Sequence, residues 1–129
     1  MPKIRAFVSF DIDNDERIKH YLIGQSKLPD SPFEFKDNSV KEHLTGDWKE
    51  KVRRRMDNVD VVIILCGANT NRASGVAAEL EIAIEKRKPY FLLAAYPDKL
   101  CVAPIGTPFE QKIYRWTWDN LKALLEGRR

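Results

Sequence analysis

Three glutamates stand close together in the segment GVAAELEIAIEKRKP, residues 75–89, and only one of them falls on an apolar face. At about 100° per residue, a helix places Glu79 between Ile82 and Ala83, whereas Glu81 and Glu85 lie on the opposite, charged face. We therefore expect Glu79 to be withdrawn from water. Because a buried carboxylate without partners is costly, its retention needs a reason.

Two interpretations of a withdrawn Glu79 are open. In the structural one, Glu79 pairs with the neighbouring Arg72 or caps a loop. In the functional one, Glu79 lines a cleft, and its surroundings adjust its acidity, as at many active sites. Glu79 lies about one and a half turns into its predicted helix, near the edge of the sheet at which ligands would bind.

The segments around Glu79 alternate between the patterns of strands and helices. Apolar, β-branched runs predict strands at 4–10, 33–35, 59–66 and 90–96, with weaker candidates at 100–102 and 113–114. Helical periodicity predicts helices from a cap at Asp13 to Pro29, and over 47–58, 73–88 and 118–126. An Asp-x-x-Glu capping box starts the first helix, and Gly127 stops the last one.

Strands that alternate with helices imply an α/β fold: a doubly wound, mainly parallel five-stranded sheet in a flavodoxin-like three-layer sandwich. Such sheets bind ligands beyond the carboxyl ends of their strands. The candidate binding residues at that edge follow the first and third major strands and are Ser9, Phe10, Asp11, Gly67, Asn69 and Thr70. Trp116 and Trp118 are expected to anchor the last helix to the core.

The composition indicates one soluble domain that spans residues 1–129 and has a net charge of +3. The basic residues within 49–55 fit a solvated helix face, so nucleic acid is not an expected partner. No segment has the pattern of a signal peptide or of a membrane span. Cys66 and Cys101 lack metal-ligand spacing, so no metal is expected. We expect reduced thiols in a cytoplasmic protein.

Three stretches together resemble the TIR-like family, a group of small archaeal and bacterial flavodoxin-like domains. These stretches are FVSF at the end of the first strand, WKEKVRRRMDNVDVVIILCGANTNRASGVAAELEIAIEKRKP, and YRWTWDNLKALL. The resemblance covers roughly residues 4–125. The family includes the TIR-like component of the Thoeris anti-phage system, and its fold of parallel strands wrapped by helices agrees with the alternating pattern of the elements.

The resemblance implies that the chain cleaves the nicotinamide–ribose bond of NAD, with Glu79 at the position of the family's catalytic glutamate. Ser9 and Phe10 would line the nucleotide pocket, and the loop 67–70 would form another wall. NAD would then be a substrate, and no cofactor would be bound permanently. The product would be an ADP-ribose-type signal, linear or cyclic. Self-assembly and an effector protein that senses the product are the further partners it implies.

One glutamate suffices for such chemistry, because nicotinamide leaves as a neutral molecule and positive charge develops on the ribose. A nearby carboxylate stabilises that charge, as in glycoside hydrolysis. Surroundings of low polarity would strengthen the interaction. The acceptor, which can be water or a group of the same molecule, decides the product.

Two alternatives remain open. One is an enzyme similar to nucleoside 2-deoxyribosyltransferases, with which the chain shares a glutamate followed by Ala83, Lys88 and Pro89. The other is a non-catalytic TIR-type interaction module. A response-regulator receiver is excluded, because Asp60 stands at the start of the third strand and Cys-Gly-Ala-Asn follows it. A flavoprotein is disfavoured, since the acidic residues in 11–15 would repel the flavin phosphate.

Overall fold

The computed structural model describes residues 3–38 and 46–127, with strands and helices alternating along this part of the chain. The elements are β1 (Ile4–Ser9), α1 (Glu16–Ser26), β2 (Phe33–Asn38), α2 (Gly46–Met56), β3 (Val61–Cys66), α3 (Ser74–Glu85), β4 (Tyr90–Ala94), β5 (Ile113–Tyr114) and α4 (Trp118–Leu125). A short 3-10 turn at Thr70–Arg72 precedes α3.

The sheet has the order β2-β1-β3-β4-β5, and every neighbouring pair is parallel. The chain moves outwards from β1 to β2 and then crosses back to β3, so the order reverses between β1 and β3. This arrangement confirms the predicted doubly wound, flavodoxin-like α/β fold. All six residues of β3 are buried, as expected for a central strand that is covered on both faces.

Two apolar layers cover the two faces of the sheet, because successive strand residues point to opposite sides. Ile63 and Leu65 of β3 face a layer completed by α1 and α4. Val62 and Ile64 face the other layer, completed by α2 and α3. Trp116 and Trp118 are partly buried against the α1/α4 layer, which confirms their predicted role as anchors of the last helix.

Trp48, Val52 and Met56 recur every four residues along α2 and are all buried, so they form the face that packs into the core. Gly127 ends α4 with a φ of 86°, a left-handed conformation that glycine adopts at little cost. Among the described residues, no helix combines the length and the apolar character needed to cross a membrane.

The predicted capping box at the start of α1 is wrong. The helix begins at Glu16, and Asp15, not Asp13, occupies the cap position. The carbonyl of Asp11 accepts the backbone N–H groups of both Asn14 and Asp15. These bonds form a turn before the helix, so that Asp13 lies in that turn and its side chain is exposed.

The helix α3 ends at Glu85, three residues earlier than predicted, in a Schellman motif. Arg87 has a φ of 56°, and the N–H of Lys88 bonds to the carbonyl of Ala83. The weak strand candidate at 100–102 is also wrong. Prolines stand at 97 and 104, and the N–H of Val102 bonds to the carbonyl of Gly67, a loop residue.

Candidate functional site

Glu79 lies in the first half of α3 and is almost completely buried, with an exposed fraction of 1%. The helix packs Val76, Leu80 and Ala83 against the sheet and thereby carries Glu79 inwards. Glu81 is exposed. The helical periodicity therefore identified the withdrawn glutamate correctly.

Ser9 supplies a hydrogen bond to this carboxylate. Its hydroxyl donates to Oε1 of Glu79 over 2.7 Å, in a buried contact between residues 70 positions apart. Ser9 is the last residue of β1 and is itself fully buried. Arg72, the ion-pair partner considered in the structural interpretation, is exposed. A hydroxyl donor fixes a carboxylate oxygen without cancelling its negative charge.

Phe10 and Asp11 follow Ser9 in the chain, but their side chains have different surroundings from that of Ser9. Phe10 packs into the α1/α4 layer, on the opposite face of the sheet from the Ser9–Glu79 contact. The Asp11 carboxylate accepts from the N–H of Asp13 over 3.2 Å and from the side-chain amide of Asn14 over 2.7 Å. Asp11 thus organises the loop after β1 through bonds within that loop.

The loop after β3 is held by its own contacts. The N–H of Gly67 donates to the hydroxyl oxygen of Thr70 over 2.7 Å, and the Thr70 side chain is fully buried. The Asn69 side chain is exposed. Of the predicted binding residues, the structure brings Ser9 into contact with Glu79, whereas Gly67 and Thr70 are bonded to each other.

Sequence reasoning missed Asp15 and Tyr96. The hydroxyl of Tyr96 donates to Oδ1 of Asp15 over 2.8 Å, and Asp15 is only 2% exposed. Burial raises the pKa of Asp15; the bond from Tyr96 opposes this rise, and the nearby Asp11 adds to it. In the sequence, Asp15 is the last member of the acidic run 11–15, and only its place directly before α1 sets it apart.

The polar atoms of the site that could bind a metal ion are oxygens of carboxylates, hydroxyls and backbone carbonyls. In the described residues, no group of three or more His, Cys, Asp or Glu side chains could hold a metal ion. The arrangement instead offers buried carboxylates near the edge of the sheet, of which Glu79 has the smallest exposed fraction. Such a group can stabilise positive charge that develops on a bound molecule.

A comparison with protein families gives a match over residues 7–100 to the TIR-like domain of the Thoeris protein ThsB. The chain belongs to this family. A search of curated proteins found no significant match. As a ThsB-type TIR-like domain, the chain is a TIR-domain protein of the anti-phage type.

The region that matches the ThsB family contains the whole candidate site. It runs from within β1 to the segment after β4, and so includes Ser9, Gly67 and Glu79. It also includes Asp15 and Tyr96. The strand β5 and the helix α4 lie beyond the match.

Proposed function

We propose that this TIR-like domain cleaves the nicotinamide–ribose bond of NAD and so produces an ADP-ribose-type signal in anti-phage defence. The observation that carries the proposal is the buried contact between the Ser9 hydroxyl and Glu79 at the carboxyl edge of β1. Membership of the ThsB TIR-like family supports the class of protein. NAD would act as the substrate, with no permanently bound cofactor.

In the proposed reaction, the bond between the ribose carbon and the nicotinamide nitrogen breaks. The electron pair leaves with the nitrogen, so that nicotinamide departs neutral and the ribose becomes an oxocarbenium-like cation. Water then adds to the ribose carbon and releases a proton, which gives ADP-ribose. If a group of the same molecule adds instead, the product is cyclic and no water is consumed.

Glu79 would contribute its negative charge next to the ribose. The apolar neighbours Leu80 and Ile82, both buried, lower the local polarity and so strengthen an attraction between opposite charges. Ser9 would hold one carboxylate oxygen in a fixed orientation. The exposed side chain of Asn69 is the candidate contact to a nucleotide in the loop after β3.

The partners of the proposed reaction follow from its chemistry. The product would be a soluble anion, which a separate effector protein could recognise in the cytoplasm. Self-assembly of the domain would be one way to complete or order the site, since β2 and β5 are the edge strands of the sheet in the part of the chain that the structure describes. Neither nucleic acid nor a membrane has a role in this proposal.

The experiment incubates concentrated protein with NAD and identifies the products by mass spectrometry. We expect Glu79→Gln to lower the rate of nicotinamide release by about 10²–10³-fold, because it removes a charge aimed at the cation. Glu81→Gln is the matched control, since it changes an exposed glutamate on the same helix, and it should leave the rate unchanged.

Two results would refute the proposal. One is an equal rate of NAD consumption by the wild type and Glu79→Gln. The other is no NAD consumption by the wild type at any concentration up to those at which it assembles, which would favour the non-catalytic module. A parallel incubation with a 2′-deoxynucleoside and a free base tests the nucleoside-transferase alternative.

A further inference from the structure

Asp15 is a buried carboxylate near the carboxyl edge of the sheet, besides Asp11 and Glu79, and the proposed reaction does not use it. It stands directly before α1, where an aspartate side chain usually accepts a backbone N–H of the first helical turn. The Asp15 side chain makes no such bond. Its Oδ1 accepts from the hydroxyl of Tyr96, 81 residues further along the chain.

The other carboxyl oxygen of Asp15 is enclosed against Gly67. Among the described residues, Oδ2 of Asp15 has no hydrogen-bond partner. A Cβ atom added at Gly67 would lie 2.7 Å from Oδ1 and 2.8 Å from Cγ of Asp15. Gly67 also bonds to Thr70 and, through its carbonyl, to Val102. The carboxyl group of Asp15 therefore joins the loop after β1 to the segments that follow β3 and β4.

The groups around Asp15 compensate a negative charge poorly. Asp11 has the same charge, and burial raises the pKa values of the Tyr96 hydroxyl and the Cys66 thiol to about 12, so both are neutral near pH 7. Lys99 opposes the negative charge of Asp15, and Arg17 acts on Tyr96; the amine of Lys99 lies 4.6 Å from the centre of the Tyr96 ring. Burial is the largest influence on Asp15 and raises its pKa.

We propose that Asp15 is a positioning residue that fixes the loop after β1 to Gly67 and Tyr96, and that its neutral form is the less costly one to bury there. The bond from Tyr96 is stronger to the charged carboxylate, but the cost of burying the charge outweighs this gain, and a neutral carboxyl group still accepts the bond. The fixed loop leads directly back to Ser9. An effect of this loop on catalysis by Ser9 and Glu79 rests on the function proposed above, whereas the contacts of Asp15 do not.

The first test compares the melting temperatures of the wild type and Asp15→Asn between pH 4 and pH 8. Because the pKa of Asp15 is raised in the folded state, its contribution to stability is complete below the unfolded value and is lost as the pH rises through the folded value. We therefore expect the two proteins to melt alike near pH 4, and Asp15→Asn to melt a few degrees higher at pH 8.

The matched control is Asp98→Asn, which removes the same charge from an exposed position in the segment after β4. Its melting temperature should follow that of the wild type at every pH. A carboxylate that stabilises the fold through its charge would give the opposite sign at Asp15. The proposal is therefore overturned if Asp15→Asn melts below the wild type at pH 8.

The second test measures positioning by backbone hydrogen exchange. Tyr96→Phe removes the donor, and we expect exchange at Gly67 and Thr70 to become roughly five-fold faster after correction for global stability. Tyr114→Phe, a partly buried tyrosine of the same layer, should change neither amide. Unchanged exchange at these amides in Tyr96→Phe would overturn the positioning role.

A third test, which measures enzyme kinetics, asks whether the loop after β1 affects the candidate site. We expect Asp15→Asn to keep the turnover of NAD and Asp15→Ala to lower kcat more than it changes KM. If the wild type consumes no NAD, the proposed function fails, and the pH series and the exchange data still decide the role of Asp15. If both Asp15 variants turn NAD over like the wild type, the link from Asp15 to the site is refuted.

Discussion

The contact between Ser9 and Glu79 can be tested by removing the Ser9 hydroxyl. In Ser9→Ala, the buried Glu79 carboxylate loses a donor that lies 2.7 Å away. Hydrogen bonds to charged groups contribute about 1.5–3 kcal/mol, and no water can easily replace a donor between two residues with exposed fractions of 0% and 1%. We therefore expect the free energy of unfolding to fall by about 1.5–3 kcal/mol.

The measurement is chemical denaturation at pH 7, followed by circular dichroism, with Ser74→Ala as the control. Ser74 is an exposed serine at the start of α3, so its loss should change the free energy of unfolding by less than about 0.5 kcal/mol. For a domain of this size, the loss at Ser9 corresponds to a melting temperature lower by roughly 5–12 °C.

A double-mutant cycle separates the contact from other effects of the substitution. In the Glu79→Gln background the acceptor is neutral, so Ser9→Ala should cost only about 0.5–1.5 kcal/mol. The coupling energy between the two sites is then about 1 kcal/mol or more. An equal cost in both backgrounds, or a loss below about 0.5 kcal/mol in the wild type, would show that the hydroxyl does not support the charge of Glu79.

Three further outcomes follow from the same structure. Gly67→Ala should lower the free energy of unfolding by about 1–3 kcal/mol, because the added Cβ would overlap the Asp15 carboxyl group. Denaturation should show that most of this loss disappears in the Asp15→Ala background. Arg87→Gly should raise the melting temperature by a few degrees, because Arg87 has a φ of 56°, and a lower value would contradict this account of the end of α3. Cys66 should resist alkylation by iodoacetamide up to about pH 9, since burial raises its pKa to about 12. The partly exposed Cys101 should be labelled first, and mass spectrometry of the labelled peptides measures the order of labelling.

Periodicity was sufficient to predict the parts of the fold that depend on apolar burial. The apolar run at 59–66 correctly predicted the strand β3, and the helical periodicity of α3 correctly predicted that Glu79 is buried. Both features are local, because the apolar residues of a single strand or helix determine which of its faces is buried. The alternation of strands and helices predicted a parallel, doubly wound sheet, and the flavodoxin-like strand order was expected from the size of the domain.

The partners of buried polar groups could not be predicted in this way. Ser9 and Glu79 were both candidates, but their hydrogen bond joins residues 70 positions apart, and no spacing in the sequence encodes it. The start of α1 was misplaced for a related reason. The spacing of Asp13 and Glu16 fits the capping-box motif. The helix instead begins at Glu16, because Asp11 forms a turn before it and Tyr96 bonds to Asp15.

The kind of donor at each carboxylate separates the surface of the domain from its candidate site. On the surface, guanidinium groups pair with carboxylates, as Arg5 does with Asp60 and Arg53 with Glu85. Such pairs cancel charge. Inside, the Glu79 carboxylate accepts a hydrogen bond from the Ser9 hydroxyl, a neutral donor that orients one of its oxygens. This fixed orientation is what the proposed cleavage of a glycosidic bond would require, because the carboxylate would have to face the ribose carbon on which positive charge develops.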